Sequence, residues 1–315
     1  MKTAWLFPGQ GSQSVGMGRA LHESSAAARA VFEAADAALG RSISKLCFEG
    51  PDSELALTFN TQPAIVTTSM AVLAALRERY PELPLPAFAA GHSLGEYSAL
   101  VAAGALTLAD AVRLVELRGR AMQDAVPEGL GAMAAILGGD RATIEALCAD
   151  AREGDVLEPA NYNAPSQVVI SGSAPAVARA SALAAERKLK AIALNVSAPF
   201  HCSLMAPAAK KVADALTRIT FSAPAFPVVS NVSAEPSQSA ESLQQALVRQ
   251  VDSAVLWEQT VVSMAEHGVT HALEIGPGKV LQGLAKRIDK RLQVLAVSDG
   301  DAVGQAGAFL AGQKS

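Results

Sequence analysis

Short apolar runs alternate with longer stretches of helical spacing along most of this chain. The first run, Thr3-Ala4-Trp5-Leu6-Phe7, meets Pro8-Gly9 at once and predicts a buried strand. Helical spacing follows over residues 17–39, interrupted near Ser24 and Ser25. It returns over residues 62–79, where Ala64, Ile65, Met70 and Leu73 are among the apolar positions. An apolar run at 85–90 ends at Gly91 and predicts a second buried strand, with helices at 95–103 and 108–125 behind it. Strand, turn and helix in this order predict a parallel sheet with helices on both faces.

The middle of the chain has another rhythm. It predicts a strand at 131–137, a helix at 141–151, strands at 156–161 and 167–171, a helix at 174–187 and a strand at 189–196. That is the split βαβ order of ferredoxin-like folds. The expected fold class is therefore α/β: a hydrolase-like parallel sheet core carrying an inserted ferredoxin-like small domain. The small domain is expected at residues 129–197, and the large domain at 1–128 and 198–315. Beyond the insertion the first rhythm resumes. Helices are predicted at 202–217, 239–250, 257–267 and 279–287, with strands at 227–230, 272–275 and 292–297.

Composition narrows the function. Half of the 315 residues are apolar and only 18% are charged, with 26 basic against 30 acidic side chains for a net charge of −4. A disordered chain needs the opposite balance. A general nucleic-acid binder needs a basic excess that is missing here, and at 4% aromatics stacking on bases is not favoured. Cys47, Cys148 and Cys202 are an odd number at wide spacing, without a CxxC pair. They predict neither a disulfide framework nor a metal site, but buried thiols in a reducing, cytoplasmic setting. The first apolar run is too short for a signal peptide, and no stretch approaches the roughly 20 apolar residues of a membrane span.

The strongest chemical signal is Gly91-His92-Ser93-Leu94-Gly95. Gly-x-Ser-x-Gly after a strand and before a helix lifts a serine hydroxyl clear of the sheet, beside backbone N–H groups suited to an oxyanion. The plain alternative is a turn that contains a serine by chance. A serine needs a base. Of five histidines, His22 lies on a polar-rich stretch, His92 sits inside the turn, and His267 and His271 flank the last part of the sheet. His201 follows Ser197-Ala198-Pro199-Phe200, and the proline predicts a helix start whose dipole keeps the imidazole neutral. A packed or capping histidine is the plainer reading of local sequence. Gly9-Gln10-Gly11-Ser12-Gln13 after the first strand is a plain turn by spacing, since it lacks the Walker lysine and is not GxGxxG. Arg118 in Glu116-Leu117-Arg118-Gly119-Arg120 is either a solvated helix position or a buried fork for a carboxylate.

Together these motifs resemble the malonyl-CoA:acyl carrier protein transacylases, the loading enzymes of bacterial fatty acid synthesis. The match runs through residues 7–13, residues 91–100 and Arg118-Gly119-Arg120-Ala121-Met122. It continues through Asn161-Tyr162-Asn163-Ala164-Pro165, Ala198-Pro199-Phe200-His201 and Glu274-Ile275-Gly276-Pro277-Gly278. The resemblance implies Ser93 as nucleophile, His201 as its base, and the backbone N–H groups of Gln10 and Leu94 as oxyanion hole. It implies Arg118 as bidentate holder of the malonyl carboxylate, and Gln250 as the residue that orients His201 through its backbone carbonyl. Asn163, Phe200 and Met122 are implied at the acyl-binding cleft, with Phe200 accompanying malonyl rather than bulkier extenders. Leu256 departs from the pattern, since many relatives carry arginine there. The implied reaction is ping-pong transfer of malonyl from CoA to the phosphopantetheine thiol of acyl carrier protein, with no cofactor and no metal. The implied carrier is acidic, and the basic residues Lys279, Lys286, Arg287, Lys290 and Arg291, with Lys188 and Lys190, are either its docking patch or a solvated face.

Two other readings stay open at this point. A thioesterase or esterase of the α/β-hydrolase type would take His267 or His271 as base. A carrier-binding module would keep the fold without the chemistry. Within acyl transfer, a trans-acting polyketide acyltransferase is the alternative to fatty acid synthesis.

Overall fold

The computed structural model describes residues 2–312. Among the described residues, ten strands form two sheets. The larger holds β1 (Lys2–Phe7), β2 (Phe88–Gly91), β7 (Val228–Val229), β8 (Pro236–Ser237), β9 (Val269–Ile275) and β10 (Gln293–Val297) in the order β10-β9-β1-β2-β7-β8. All its pairings are parallel except β7 with β8 at one edge. The central strand β1 explains why the sequence there is one apolar run. Side chains alternate across a strand. Trp5 and Phe7 enter the core on one face, while Ala4 and Leu6 enter the core on the other. A strand buried on both faces has no polar alternation to show.

The smaller sheet holds β3 (Gly131–Leu137), β4 (Leu157–Ala164), β5 (Gln167–Ser173) and β6 (Lys190–Ala193) in the order β4-β5-β3-β6, antiparallel throughout. With its two helices, Arg141–Ala151 and Ala174–Glu186, it has the expected ferredoxin-like order. Ala134 and Ile136 of β3 pack under those helices with Ile144, Leu147 and Val177. Met133 and Ala135, on the opposite face, join the main core of the large sheet's helices. The small sheet thus roofs the large one. Backbone bonds between Tyr162 and Val255 (2.9 Å) and between Val255 and Ala160 (2.9 Å) tie the two together. Leu256 packs at the edge of the small sheet's core.

Several expected elements differ. The helix expected at 62–79 spans Thr58–Arg79, and it is buried almost all round, so no apolar stripe marks its first turn. The helix expected at 202–217 is a 3₁₀ turn, Ser203–Met205, followed by a helix at Ala206–Leu216. Pro207, not Pro199, occupies the first helical turn. The strand expected at 189–196 stops at Ala193, and the chain then leaves the sheet. Helices Ile43–Glu49, Asp52–Leu55 and Gly300–Leu310 and the short β8 were not expected. The three cysteines are free and buried, which pushes each thiol well above its ordinary range. Among the described residues, no helix is long and apolar enough to cross a membrane.

Candidate active site

The site begins where β2 ends. Ser93 sits at φ 52°, in the left-handed region that non-glycine residues rarely adopt. The glycines around it allow the turn to close. A Cβ at position 91 would lie 1.9 Å from the Gly95 carbonyl carbon, and one at position 95 would lie 2.2 Å from the Phe7 carbonyl oxygen. The strained turn is stapled from outside. Ser93 N–H donates to Asn231 Oδ1 (2.7 Å), and Asn231 Nδ2 donates to the Gly91 carbonyl (2.7 Å). The helix Gly95–Ala102 follows directly. Among the described residues, the backbone N–H groups of Gln10 and Leu94 have no backbone acceptor within the protein, and both residues line the cleft over Ser93. Unpaired N–H groups on residues that line one cleft suit a developing oxyanion.

Ser93 Oγ lies 2.7 Å from His201 Nε2, and His201 Nδ1 lies 2.8 Å from the Gln250 carbonyl oxygen. A carbonyl only accepts, so Nδ1 carries the proton and Nε2 is left to accept the serine hydroxyl's. His201 is 4% exposed. Burial, reinforced by the positive charge of Arg118, pushes its pKa down to about 3. This corrects the expectation from sequence. The helix that follows begins only at Ala206, so no helix N-terminus faces His201, which sits in a turn at φ 60° and meets instead the carboxyl end of the helix Ala240–Gln250. Its neutrality comes from desolvation and a neighbouring cation.

Arg118 projects from the helix Leu108–Asp124 and is 1% exposed. Nη1 donates to Gln62 Oε1 (2.9 Å), and Nη2 donates to Gln250 Oε1 (2.9 Å) and to Ser93 Oγ (3.1 Å). Its partners are neutral, and it forms no ion pair among the described residues. The Tyr97 ring lies 5.5 Å away. Burial pulls its pKa below the ordinary arginine value. A guanidinium taken out of water without a carboxylate is costly, and an incoming carboxylate would relieve that cost.

Gln10, Leu94, Phe200 and Met122 line the same cleft as Ser93, Arg118 and His201, a space of about 560 Å³ open to solvent. Asn163 does not line it. Its Oδ1 accepts from His92 Nε2 (2.7 Å), and Asn161, two residues earlier on β4, lines the cleft instead. Sequence reasoning missed Gln62, Asn161 and the apolar wall of Met133, Leu194 and Val196 in the cleft, and Glu96 and Asn231 in the hydrogen bonds that support it. Asn231 follows β7, and the ends of parallel strands are where such folds place sites. Gln62 is a polar residue buried on an otherwise buried helix.

The competing bases lie elsewhere. His271 is in register with Thr3 at the start of β1, and His267 stacks on Phe88 at the start of β2, both at the opposite end of the strands from Ser93. Among the described residues, no three His, Cys, Asp or Glu side chains are grouped to hold a metal. Lys279, Lys286, Arg287 and Lys290 share a groove with Pro165 and Leu292. Arg291 pairs with Asp289 (2.6 Å), and Lys190 lies on edge strand β6.

A serine–histidine pair, a free pair of backbone donors and a buried arginine outside any ion pair, on a parallel sheet, define an acyl-transfer enzyme. Residues 4–306 match the model of the acyl transferase domain family, and the chain belongs to that family. It is 49% identical over 304 residues to the malonyl CoA-acyl carrier protein transacylase of Escherichia coli strain K12, covering 96% of this chain and 98% of that one. Among solved structures, the acyl-carrier-protein S-malonyltransferase of Burkholderia pseudomallei superposes with a TM-score of 0.94 at 46% identity, over 97% of this chain and 99% of that one. A malonyl-transacylase solved in complex with its type II PKS acyl-carrier protein superposes with a TM-score of 0.92 at 45% identity, over 97% of this chain and 99% of that one.

Proposed function

We propose that this enzyme moves malonyl from CoA to the phosphopantetheine thiol of an acyl carrier protein, through a malonyl ester on Ser93. One observation carries the choice of acyl group. Arg118, buried and with no carboxylate among its hydrogen-bond partners, hydrogen-bonds the oxygen that would carry the acyl group. A dicarboxylic half-thioester supplies the missing anion at that place.

His201 Nε2 takes the Ser93 proton as Oγ attacks the thioester carbonyl. The Gln10 and Leu94 N–H groups hold the oxyanion, and Arg118 turns from Oγ to the malonyl carboxylate. The tetrahedral intermediate collapses, and CoA leaves as a thiol with the proton from His201. The carrier thiol then gives its proton to His201 and attacks the serine ester, and Ser93 regains its proton as malonyl departs. The thioester is already activated, so this reading needs no cofactor. The cytoplasm is the compartment that supplies such a substrate to a chain with reduced, buried thiols. The thioesterase reading is disfavoured because its bases, His267 and His271, lie at the other end of the strands.

The test uses the isolated malonyl-enzyme. Freed of CoA and mixed with carrier bearing its phosphopantetheine arm, it should pass malonyl to the carrier faster than to water. Release of free malonate with no malonyl carrier would overturn transfer in favour of hydrolysis.

A further inference from the structure

Beneath the serine turn lies a carboxyl group that the reaction does not touch. Glu96, the second residue of the helix Gly95–Ala102, is fully buried. Its Oε2 accepts from Gln250 Nε2 (2.7 Å) and from the Asn231 backbone N–H (3.1 Å), while its Oε1 has no partner. Gln250 Nε2 donates as well to the Ser93 carbonyl (2.8 Å). Two oxygen acceptors on one side of the amide fix its sense. The NH₂ end must face Glu96 and Ser93, so Oε1 must face Arg118, whose Nη2 it accepts at 2.9 Å. A flipped amide would set oxygen against both acceptors and NH₂ against the guanidinium. The backbone carbonyl of the same glutamine holds His201.

We propose that Glu96 is a positioning residue for acyl selection: by fixing the sense of the Gln250 amide it aims the Arg118 guanidinium at the carboxylate end of the acyl group. The inference rests on the malonyl-transfer reading above. Burial pushes the Glu96 carboxyl up to about 7, yet a proton carried on Oε1 leaves Oε2 free to accept, so the hold on Gln250 persists in either state. Arg118 and Ser230 are the other groups that act on this carboxyl. A glutamine at position 96 can offer its oxygen at the same place. A leucine cannot, and an aspartate keeps the charge but withdraws it by one carbon.

The experiment measures loading of Ser93 by malonyl-CoA and by acetyl-CoA, as initial rates from quenched intact mass, with melting temperatures to show that each variant folds. Glu96→Leu should lower the malonyl-to-acetyl ratio by about tenfold, through KM for malonyl-CoA more than through kcat. Glu96→Asp, the smaller change, should lower it in the same direction and keeps the test decisive if Glu96→Leu fails to fold. Glu96→Gln should restore most of the wild-type ratio. In a Gln250→Met background, which loses the amide but keeps the backbone carbonyl, Glu96→Asp should add no further loss. A support role for the fold alone would depress malonyl and acetyl loading together and leave the ratio at the wild-type value. That result, or full additivity with Gln250→Met, would overturn the proposal. A wild-type protein that takes no malonyl at all would sink the reading of the whole site, and this proposal with it.

Discussion

Histidines stand at both ends of the large sheet, and the two ends treat them differently. At the carboxyl ends of the strands, His201 is buried, held at both ring nitrogens and stripped of its proton by burial and Arg118. At the amino ends, His267 bonds the Ser263 carbonyl one helical turn back and stacks on Phe88, while His271 contacts Thr270 and the Phe309 ring. The residue type is the same. What makes a base is desolvation together with a fixed tautomer, and only one end of a parallel sheet has the loops to supply both.

The widest contrast comes from removing each histidine in turn. His201→Ala should slow both loading from CoA and transfer to the carrier by roughly 10²–10⁴-fold, the usual contribution of a positioned base. His267→Ala and His271→Ala should leave both rates unchanged. Stopped-flow or quenched mass measurements of each half-reaction decide this, and a loss confined to CoA binding would contradict the role given to His201.

Arg118→Ala tests the other unusual group at the carboxyl end. Malonyl transfer should weaken by about 2–5 kcal/mol, the range for truncating one partner of a buried charge pair. Acetyl loading should suffer less, because no carboxylate is left without its cation. Equal losses in kcat/KM for the two thioesters would refute carboxylate recognition.

The end-to-end contrast extends to pH. The imidazole NMR signals of His201 should stay in the neutral form from pH 7 down to pH 4. A titration near the ordinary value of 6.5 would break the account of its burial. The unfolded chain takes up a proton near 6.5 that the native site refuses until about 3. This group's contribution to stability therefore falls as pH drops through that window. Glu96 acts with the opposite sign. Its native carboxyl keeps a proton up to about 7 that the unfolded chain releases near 4.5, so its contribution falls as pH rises between those values.

The smallest effect belongs to the exposed cations of the helix Val280–Ile288. Reversing Lys286 and Arg287 to Glu should raise KM for an acidic carrier at low salt and leave malonyl loading from CoA nearly unchanged. Carrier kinetics at wild-type values would make the groove a solvated surface only.

Much of the fold was legible in the chain because a strand buried on both faces shows as an uninterrupted apolar run, as β1 does. The helix Thr58–Arg79 was legible only in part, since burial on every side erases the stripe that marks a helix edge. Ser93 stood out from its glycines, whose reason is steric and local. His201, Arg118 and Gln250 came through the resemblance, and the structure brings all three to Ser93. The local argument for His201 took Pro199 as a helix start, whereas the chain turns at 201 and begins its helix five residues later. Glu96 and Asn231 were not legible. Their contacts join positions 135 and 154 residues apart, and no local period encodes a hydrogen bond across that distance.

The central claim is a malonyl ester on Ser93, and peptide mapping tests it most directly. After brief incubation with malonyl-CoA and acid quench, the mass added to the intact protein should localise to the peptide that holds Gly91-His92-Ser93-Leu94-Gly95, and the Ser93→Ala protein should gain none. A malonyl adduct that persists on Ser93→Ala, or one that maps to another peptide in the wild type, would contradict the account.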